Sequence, residues 1–166
     1  MSSIRARLGC ALFVLVTSAG HAAEQSDIGS APGARYRELV IAPFAVHWNS
    51  DDAHENAFML GFESGEHDGS LWGGSVFRNS YGDPSAYAYL GYRYDGLFGK
   101  PALYVKLTAG VLYGYKDRYA NKVPFHHDGW GLAIVPVVGL RLTALDSVQF
   151  GLLGTVAAFF TYNRRF

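Results

Sequence analysis

Apolar side chains alternate with small or polar ones along several segments of about ten residues, and this period of two is typical of β-strands. The clearest segment is PALYVKLTAGVLYG, Pro101 to Gly114, where Leu103 and Leu107 lie on one face and Tyr104 and Lys106 on the other. A strand of this kind presents one face to lipid and the other to a lumen. No run after residue 23 reaches the roughly 20 apolar residues of a membrane-spanning helix. The alternation therefore favours a β-barrel.

Turn-forming residues divide the alternating sequence into eight segments. We predict an all-β fold, an eight-stranded antiparallel transmembrane β-barrel of the outer membrane. A barrel of this size has an interior just wide enough for side chains or one slender ligand. The last two strands are separated only by Gly154-Thr155. The predicted strands lie near 39–48, 56–64, 70–79, 85–95, 101–114, 129–142, 147–153 and 156–166.

The N-terminus has the features of a signal peptide. Arg5 and Arg7 precede the apolar run 8–16, and small residues stand before a cut predicted after Ala22. Cleavage removes Cys10, the only cysteine, so we expect no disulfide in the mature chain. The predicted organisation is a signal peptide at 1–22, an N-terminal periplasmic segment at 23–38 and the barrel at 39–166.

The C-terminus and the charge balance fit this location. Phe166 is a terminal aromatic residue closing an alternating segment, as suits an outer-membrane strand. The chain has 14 basic and 14 acidic residues, so no basic excess points to nucleic acid. We expect a monomer in the cell outer membrane of a Gram-negative bacterium, with neither a metal site nor a cofactor.

An even strand number places both termini in the periplasm and fixes the side of every loop. The connections near 49–55, 80–84, 115–128 and 154–155 are then expected outside, and 115–128 is the longest of them. Four charged residues fall toward the periplasmic ends of predicted strands, and we expect them to face the lumen: Glu63, Arg93, Lys106 and Arg141. They either plug a small barrel or form the floor of a functional cavity.

The first strand carries two residues of interest, a proline and a histidine. The alternation puts Pro43 and His47 on one face, opposite Val40, Ala42, Phe44 and Val46. Proline has no N–H and removes a ladder hydrogen bond. We therefore expect weakly bonded gaps between strands at Pro43 and at Pro136.

Two candidate catalytic groups are expected at the outer mouth of the barrel. His47 ends the first strand, and Ser80 follows the third. A serine hydroxyl is a weak nucleophile until a base or a hydrogen-bond network activates it. The spacing of these two residues does not by itself separate chemistry from a structural histidine and a turn serine.

Several motifs in order over about 125 residues resemble the outer-membrane lipid A palmitoyltransferase family. VIAPFAVHW is similar to its first strand, with a proline and the catalytic histidine. SLWGGSVFR is similar to its strand with a tryptophan-glycine-glycine motif, and RNSYGDPSAYAYLGYRY resembles the segment that carries an adjacent Asp-Ser pair in the active site. LTAGVLYG and AIVPVVGLR resemble its fifth and sixth strands. The family fold is an eight-stranded barrel preceded by an amphipathic helix.

The resemblance implies a catalytic site of His47 and Ser80, with Asn79 where the family has aspartate. Asn79 is neutral, so it orients groups by hydrogen bonds and does not act as a base. The gaps at Pro43 and Pro136 would be the lipid gates. Two further departures from the family are a segment at 24–38 without helical periodicity and a short final hairpin.

The implied activity moves a palmitoyl or similar chain from a phospholipid acyl donor to a lipid A acceptor. Glycines of the strands, among them Gly73, Gly74 and Gly139, would leave a slot for the chain, with the charged residues below as its floor. Lys116, Arg118 and Lys122 would contact lipid A phosphates. Two alternatives stay open: a lipid A deacylase or phospholipase, and a non-enzymatic small barrel.

Overall fold

Eight antiparallel strands close into a barrel, and each strand pairs with its neighbours in the chain while the first pairs with the last. The computed structural model describes residues 35–47, 58–79, 82–115, 125, 127–154 and 157–166. The strands are β1 Tyr36–His47, β2 Met59–Gly65, β3 Ser70–Arg78, β4 Pro84–Asp95, β5 Leu103–Tyr113, β6 Trp130–Arg141, β7 Asp146–Leu153 and β8 Ala157–Arg165. The predicted all-β, eight-stranded fold is confirmed, and each strand lies within three residues of its predicted bounds.

The two ends of the barrel are distinguished by what they carry. The terminal end holds Tyr36 and Phe166, and the loop end holds His47, Asn79 and Gly154. A 3₁₀ turn at Leu97–Gly99 lies at the terminal end, between β4 and β5. Within the part of the chain that the structure describes, no helix is long and apolar enough to cross a membrane. The predicted signal peptide, with its cut after Ala22, lies outside the described residues.

The barrel begins earlier than predicted. β1 starts at Tyr36, so the predicted boundary between residues 38 and 39 is wrong by three residues. The first residues of this strand include two polar ones that point to opposite faces: Arg37 is exposed and Glu38 is fully buried. Apolar patterning does not detect such a segment, because its inward residues are satisfied by hydrogen bonds and charges from other strands.

A β-bulge in β1 changes which residues face inward. The pairing of β1 with β8 shifts register between Ile41 and Phe44. Val40 and Ala42, before the bulge, are 4% and 3% exposed, whereas Phe44 and Val46, after it, are 43% and 44% exposed. The prediction that these four residues share one face is therefore wrong. A bulge inserts one extra residue, and a one-residue slip exchanges the two faces of a strand.

Glycines of the lumen wall receive aromatic rings from neighbouring strands. An added Cβ at Gly73 would overlap the ring of Tyr89, and one at Gly139 would overlap the ring of Tyr104. Gly74 faces outward, because it pairs with Phe62 and Ala88 on the exterior. The predicted acyl slot beside Gly73, Gly74 and Gly139 is therefore wrong. Two of these positions are filled by tyrosine, and the third belongs to the outer surface.

Candidate functional site

Asn79 is the predicted catalytic residue whose side chain the structure describes, and it lies at the loop end just after β3. It is 2% exposed. Its Nδ2 donates a hydrogen bond to Gly114 O at 3.2 Å, and its Oδ1 accepts one from the Asp83 N–H at 3.0 Å. Its backbone N–H donates to Asp83 O at 2.9 Å, and the Gly82 N–H donates to Asn79 O at 3.0 Å. The amide thus ties the β3–β4 turn to the end of β5.

This geometry gives Asn79 a task that aspartate does not perform in the same way. Nδ2 acts as a donor and Oδ1 as an acceptor, toward different partners on either side. A carboxylate would keep the bond from Asp83 and would place a second acceptor against Gly114 O. Asn79 therefore links Asp83, just before β4, to Gly114, just after β5.

The other predicted catalytic residues and the predicted phosphate-binding residues are described only in part or not at all. The backbone of His47 belongs to β1 and pairs with Ala157 of β8, while its side chain lies outside the described structure. Ser80 is outside the described residues, as are the predicted phosphate-binding residues Lys116, Arg118 and Lys122. Their assignments stay predictions.

Strand pairing stops at both predicted gate prolines. The β1–β2 ladder runs from Tyr36↔Gly65 to Ala42↔Met59, and the next residue of β1 is Pro43. The β6–β7 ladder runs from Arg141↔Ser147 to Val137↔Gly151, and the next residue of β6 is Pro136. Pro136 lacks the N–H that would continue pairing toward β7. The β1–β2 ladder ends where β2 begins at Met59, and residues 48–57 lie outside the described structure. Both ladders thus end before the loop end of the barrel.

The strands beside each gap remain paired on their other side. Beyond the β1–β2 ladder, Phe44 to His47 pair with β8. At the loop end of β2, the Arg78 N–H of β3 donates to Phe58 O at 3.3 Å. On β6, the whole length from Trp130 to Leu140 pairs with β5. The β6–β7 ladder thus ends while both strands continue, and β1 continues beyond the first residue of β2. The strands β7, β8 and β1 lie between these two ladder ends.

Charged residues fill the lumen at the terminal end, as predicted for Glu63, Arg93, Lys106 and Arg141. All four are buried, and Lys106 Nζ lies 2.6 Å from Glu63 Oε2. Tyr36 and Tyr89 donate their hydroxyl hydrogen bonds to the same carboxylate at 2.8 and 2.9 Å. Glu63 is therefore satisfied by one ammonium and two phenols, as a buried charge requires.

Cations on the same floor are held by Asp95 and by aromatic rings. Arg93 Nε and Arg141 NH2 each lie 3.0 Å from Asp95 Oδ1. Arg93 NH1 and NH2 have no hydrogen-bond acceptor among the described residues, and the Arg93 guanidinium lies 3.6 Å from the ring centroid of Tyr104. A cation over an aromatic face is stabilised electrostatically.

A second carboxylate, Glu38, belongs to this cluster and is not among the predicted residues. Asn163 Nδ2 donates to Glu38 Oε1 at 2.8 Å, and Arg165 Nε lies 3.9 Å from Glu38 Oε2. Gln149 reaches both Glu38 and the hydroxyl of Tyr104. The sequence signal that could have revealed this part of the cluster is the alternation of polar residues in β8, which places Asn163 and Arg165 on one face. The lumen cluster comprises Tyr36, Glu38, Glu63, Tyr89, Arg93, Tyr104, Lys106, Arg141, Gln149, Asn163 and Arg165.

Inward residues of the loop half carry no charge among those the structure describes. Val135 and Val137 are buried there, and Tyr87 donates a hydrogen bond to Ala133 O at 3.2 Å. Tyr87 also lies 3.2 Å from the hydroxyl of Thr108. The lumen is therefore charged at the terminal end and largely apolar toward the loop end. Within the described ranges, no group of three or more His, Cys, Asp or Glu residues could hold a metal ion.

Comparison of the sequence with protein-family models and with curated proteins gives no match. The resemblance to the palmitoyltransferase family thus rests on the motifs quoted above.

We predict that Asn79→Asp loosens the loop end. The new carboxylate loses the hydrogen bond to Gly114 O, and an unsatisfied buried group costs about 1–3 kcal/mol. Urea unfolding in lipid vesicles should show the lower stability, and limited proteolysis should cut the β3–β4 turn faster. Asp83→Asn is the matched control, because Asp83 contacts Asn79 through its backbone. Equal stability of the two variants would contradict the positioning role.

We also predict that Lys106→Met destabilises the barrel strongly. Removing one partner of a buried ion pair costs about 3–5 kcal/mol, because the other charge stays buried and uncompensated. The double variant Lys106→Met/Glu63→Gln should recover a large part of this loss in urea unfolding. Arg35→Met is the exposed control, since the Arg35–Glu66 pair is 64% and 38% exposed and such pairs contribute about 0–1 kcal/mol. Similar losses at residues 106 and 35 would contradict the account.

Proposed function

We propose that this barrel lies in the outer membrane of a Gram-negative bacterium and transfers an acyl chain from a phospholipid to lipid A. The apolar exterior supports the location: Leu90 and Ile134 are 70% and 66% exposed, and both face outward. A closed barrel leaves no strand edge and therefore suits a bilayer, where unpaired backbone groups cost several kcal/mol each. The loop end would face outside the cell, and both termini would face the periplasm.

The observation that carries the proposal is the pair of gaps at Pro43 and Pro136. Interrupted pairing is costly in hydrocarbon, yet the β6–β7 ladder ends at Val137↔Gly151 while both strands continue, and the β1–β2 ladder ends at Ala42↔Met59. Both ladder ends lie on the loop half, where the described inward residues carry no charge. A gap in this position admits an acyl chain sideways from the bilayer, which a substrate anchored in a membrane needs. In the resembled family, such gaps are where lipid tails enter.

The lumen cluster supplies a floor for a chain that enters from the loop half. Apolar groups gain about 0.8 kcal/mol for each methylene buried, so a chain above the cluster is bound mainly by its tail. Methylenes driven into the cluster would displace hydrogen bonds of Glu63 and Arg93. The charged floor would therefore limit the chain length accepted, even though glycines do not form the slot as first expected.

The reaction assigned to the loop end is transfer of an acyl chain from a phospholipid ester to a hydroxyl of lipid A. A hydroxyl of lipid A attacks the carbonyl carbon of a phospholipid ester, with His47 accepting the hydroxyl proton and Ser80 assisting by hydrogen bonding. The tetrahedral intermediate collapses, the lysophospholipid alkoxide leaves, and His47 returns the proton to it. Asn79 acts on this chemistry by positioning the turn that carries Ser80.

Lipid A mass decides between this function and its alternatives. Cells with the gene should show lipid A with one added acyl chain, and cells without it should not. His47→Ala and Ser80→Ala should each lower the added species by about 10²–10⁴-fold, the effect of losing an acid–base group. A lipid A species lacking a chain would indicate a deacylase. Unchanged lipid A with a folded barrel would indicate a non-enzymatic protein and refute the proposal.

The gap at Pro136 is tested by closing it. Val135 and Leu153 lie two residues beyond the last β6–β7 pair, Val137↔Gly151, in the direction of the loop end. Cysteines at these two positions, joined by a short thiol crosslinker, should lower acyl transfer at least about tenfold, a barrier change of roughly 1.4 kcal/mol. Cysteines at Val138 and Phe150 are the control, because these residues already pair within the closed part of that seam. Full activity in the crosslinked Val135/Leu153 protein would show that lipid does not pass this gap.

A further inference from the structure

The outer surface of the barrel carries an open groove of about 680 Å³ on its loop half. Two rows of outward residues cross the strands there at matched register. One row runs from Phe62 through Gly74 and Ala88 to Val111, and the other includes Leu60 and Val76. Most residues that line the groove face outward, since inward and outward residues alternate along each of these strands, and the inward residues Gly61, Ser75 and Tyr87 also border it.

Small residues form the floor of the groove, and large residues form its walls. Gly74, Ala86 and Ala88 lie at the centre on β3 and β4. Leu60 and Phe62 rise on the β2 side, and Tyr113 with Trp130 rises on the β5–β6 side, where the two rings lie 4.8 Å apart. A Cβ added at Gly74 would meet nothing closer than Tyr87 O at 3.6 Å. The floor therefore has room for a side chain at Gly74.

A cation stands at the loop end of the groove. On β3, the outward residues Trp72, Gly74 and Val76 lead to Arg78, which is exposed and pairs with Pro84 at the end of the β3–β4 ladder. Arg78 Nη1 donates a hydrogen bond to Gly82 O at 3.3 Å, in the β3–β4 connection, and Arg78 is two residues beyond Val76, which lines the groove. An apolar trough that ends at an arginine matches a lipid with acyl chains and a phosphate group, since arginine binds phosphate through charge-assisted hydrogen bonds.

We propose that this exterior groove is the docking site of the lipid A acceptor, with its acyl chains against Gly74, Ala86 and Ala88 and a phosphate on Arg78. The docking site rests on the proposed function and is the place where lipid A would bind before acyl transfer. From β2 to β5 the groove spans three strand spacings, about 14 Å. That width exceeds a single hydrocarbon chain and suits a lipid with several.

The position of the groove agrees with this role. Leu39 and Leu60 at its edge belong to β1 and β2, the strands whose ladder ends at Pro43. A lipid held in the groove therefore lies beside the β1–β2 gap and on the half of the barrel that carries His47 and Asn79. The β6–β7 gap lies on the other side of β7, β8 and β1, and is left for the phospholipid donor.

Native mass spectrometry of the purified full barrel tests the proposal through binding alone. Lipid A is titrated in detergent, with a phosphatidylglycerol of matched chain length in parallel. Wild-type protein should retain one lipid A and bind it at least about tenfold more tightly than the phosphatidylglycerol, a difference of about 1.4 kcal/mol. Ala88→Leu should fill the floor, and Arg78→Gln should remove the cation, so each should weaken lipid A binding about tenfold.

Ala109→Leu is the matched control, because Ala109 also faces outward but lies outside the groove. It should bind lipid A as the wild type does, and heat-dependent gel mobility should show all variants folded. Equal lipid A binding by the Ala88→Leu and Ala109→Leu proteins would overturn the proposal, as would equal retention of lipid A and phosphatidylglycerol by the wild type. A dimer of the wild-type protein that Ala88→Leu abolishes would also overturn it, because the groove would then be a contact between two copies of the chain. Lipid A binding that follows these expectations without any acyl transfer would refute the proposed function and leave the docking site standing.

Discussion

Closure of β1 on β8 is the constraint on which the rest of the structure depends. Once Tyr36–His47 pairs with Ala157–Arg165, no strand of the described barrel is an edge. Closure with eight strands also fixes a narrow lumen that side chains can fill. Every inward residue then has neighbours from several strands. This explains why Glu38 is satisfied by Asn163, which is 125 positions away in the chain.

The narrow lumen determines how large and charged inward residues are accommodated. Aromatic rings lie against glycines of the adjacent strand, as Tyr104 does over Gly139. The hydroxyls of two tyrosines then bond Glu63, which also holds Lys106. At the terminal end, glycines thus make space for tyrosine rings, and tyrosine hydroxyls bind the buried charged residues. A pore does not follow from the charged residues there, because they are paired with one another.

The two gaps are the departures from complete pairing, and both occur on the loop half. At each gap, a proline ends the ladder with one neighbour while the strand keeps its other neighbour. The paired ladders are therefore continuous at the terminal end, and two of them end on the loop half, where the described inward residues are uncharged. The charged terminal half is linked to stability, and the loop half to the proposed entry of lipid. The exterior groove would be the proposed acceptor surface on the same half.

The sequence by itself determined the strands, because side chains of a strand alternate with period two wherever one face is buried. It also indicated the two gaps, since proline lacks an N–H whatever surrounds it, and the inward position of Glu63, Arg93, Lys106 and Arg141. For the candidate site, the sequence supplied the types of the residues and their order along the chain. The structure adds the hydrogen bonds of Asn79 to Gly114 and Asp83. Only the tertiary structure decided the faces of β1, because the bulge beside Pro43 depends on how β8 pairs with it. It alone decided that Gly73 and Gly139 receive tyrosine rings and that Gly74 belongs to an exterior groove, because these contacts join strands whose register the local pattern does not specify.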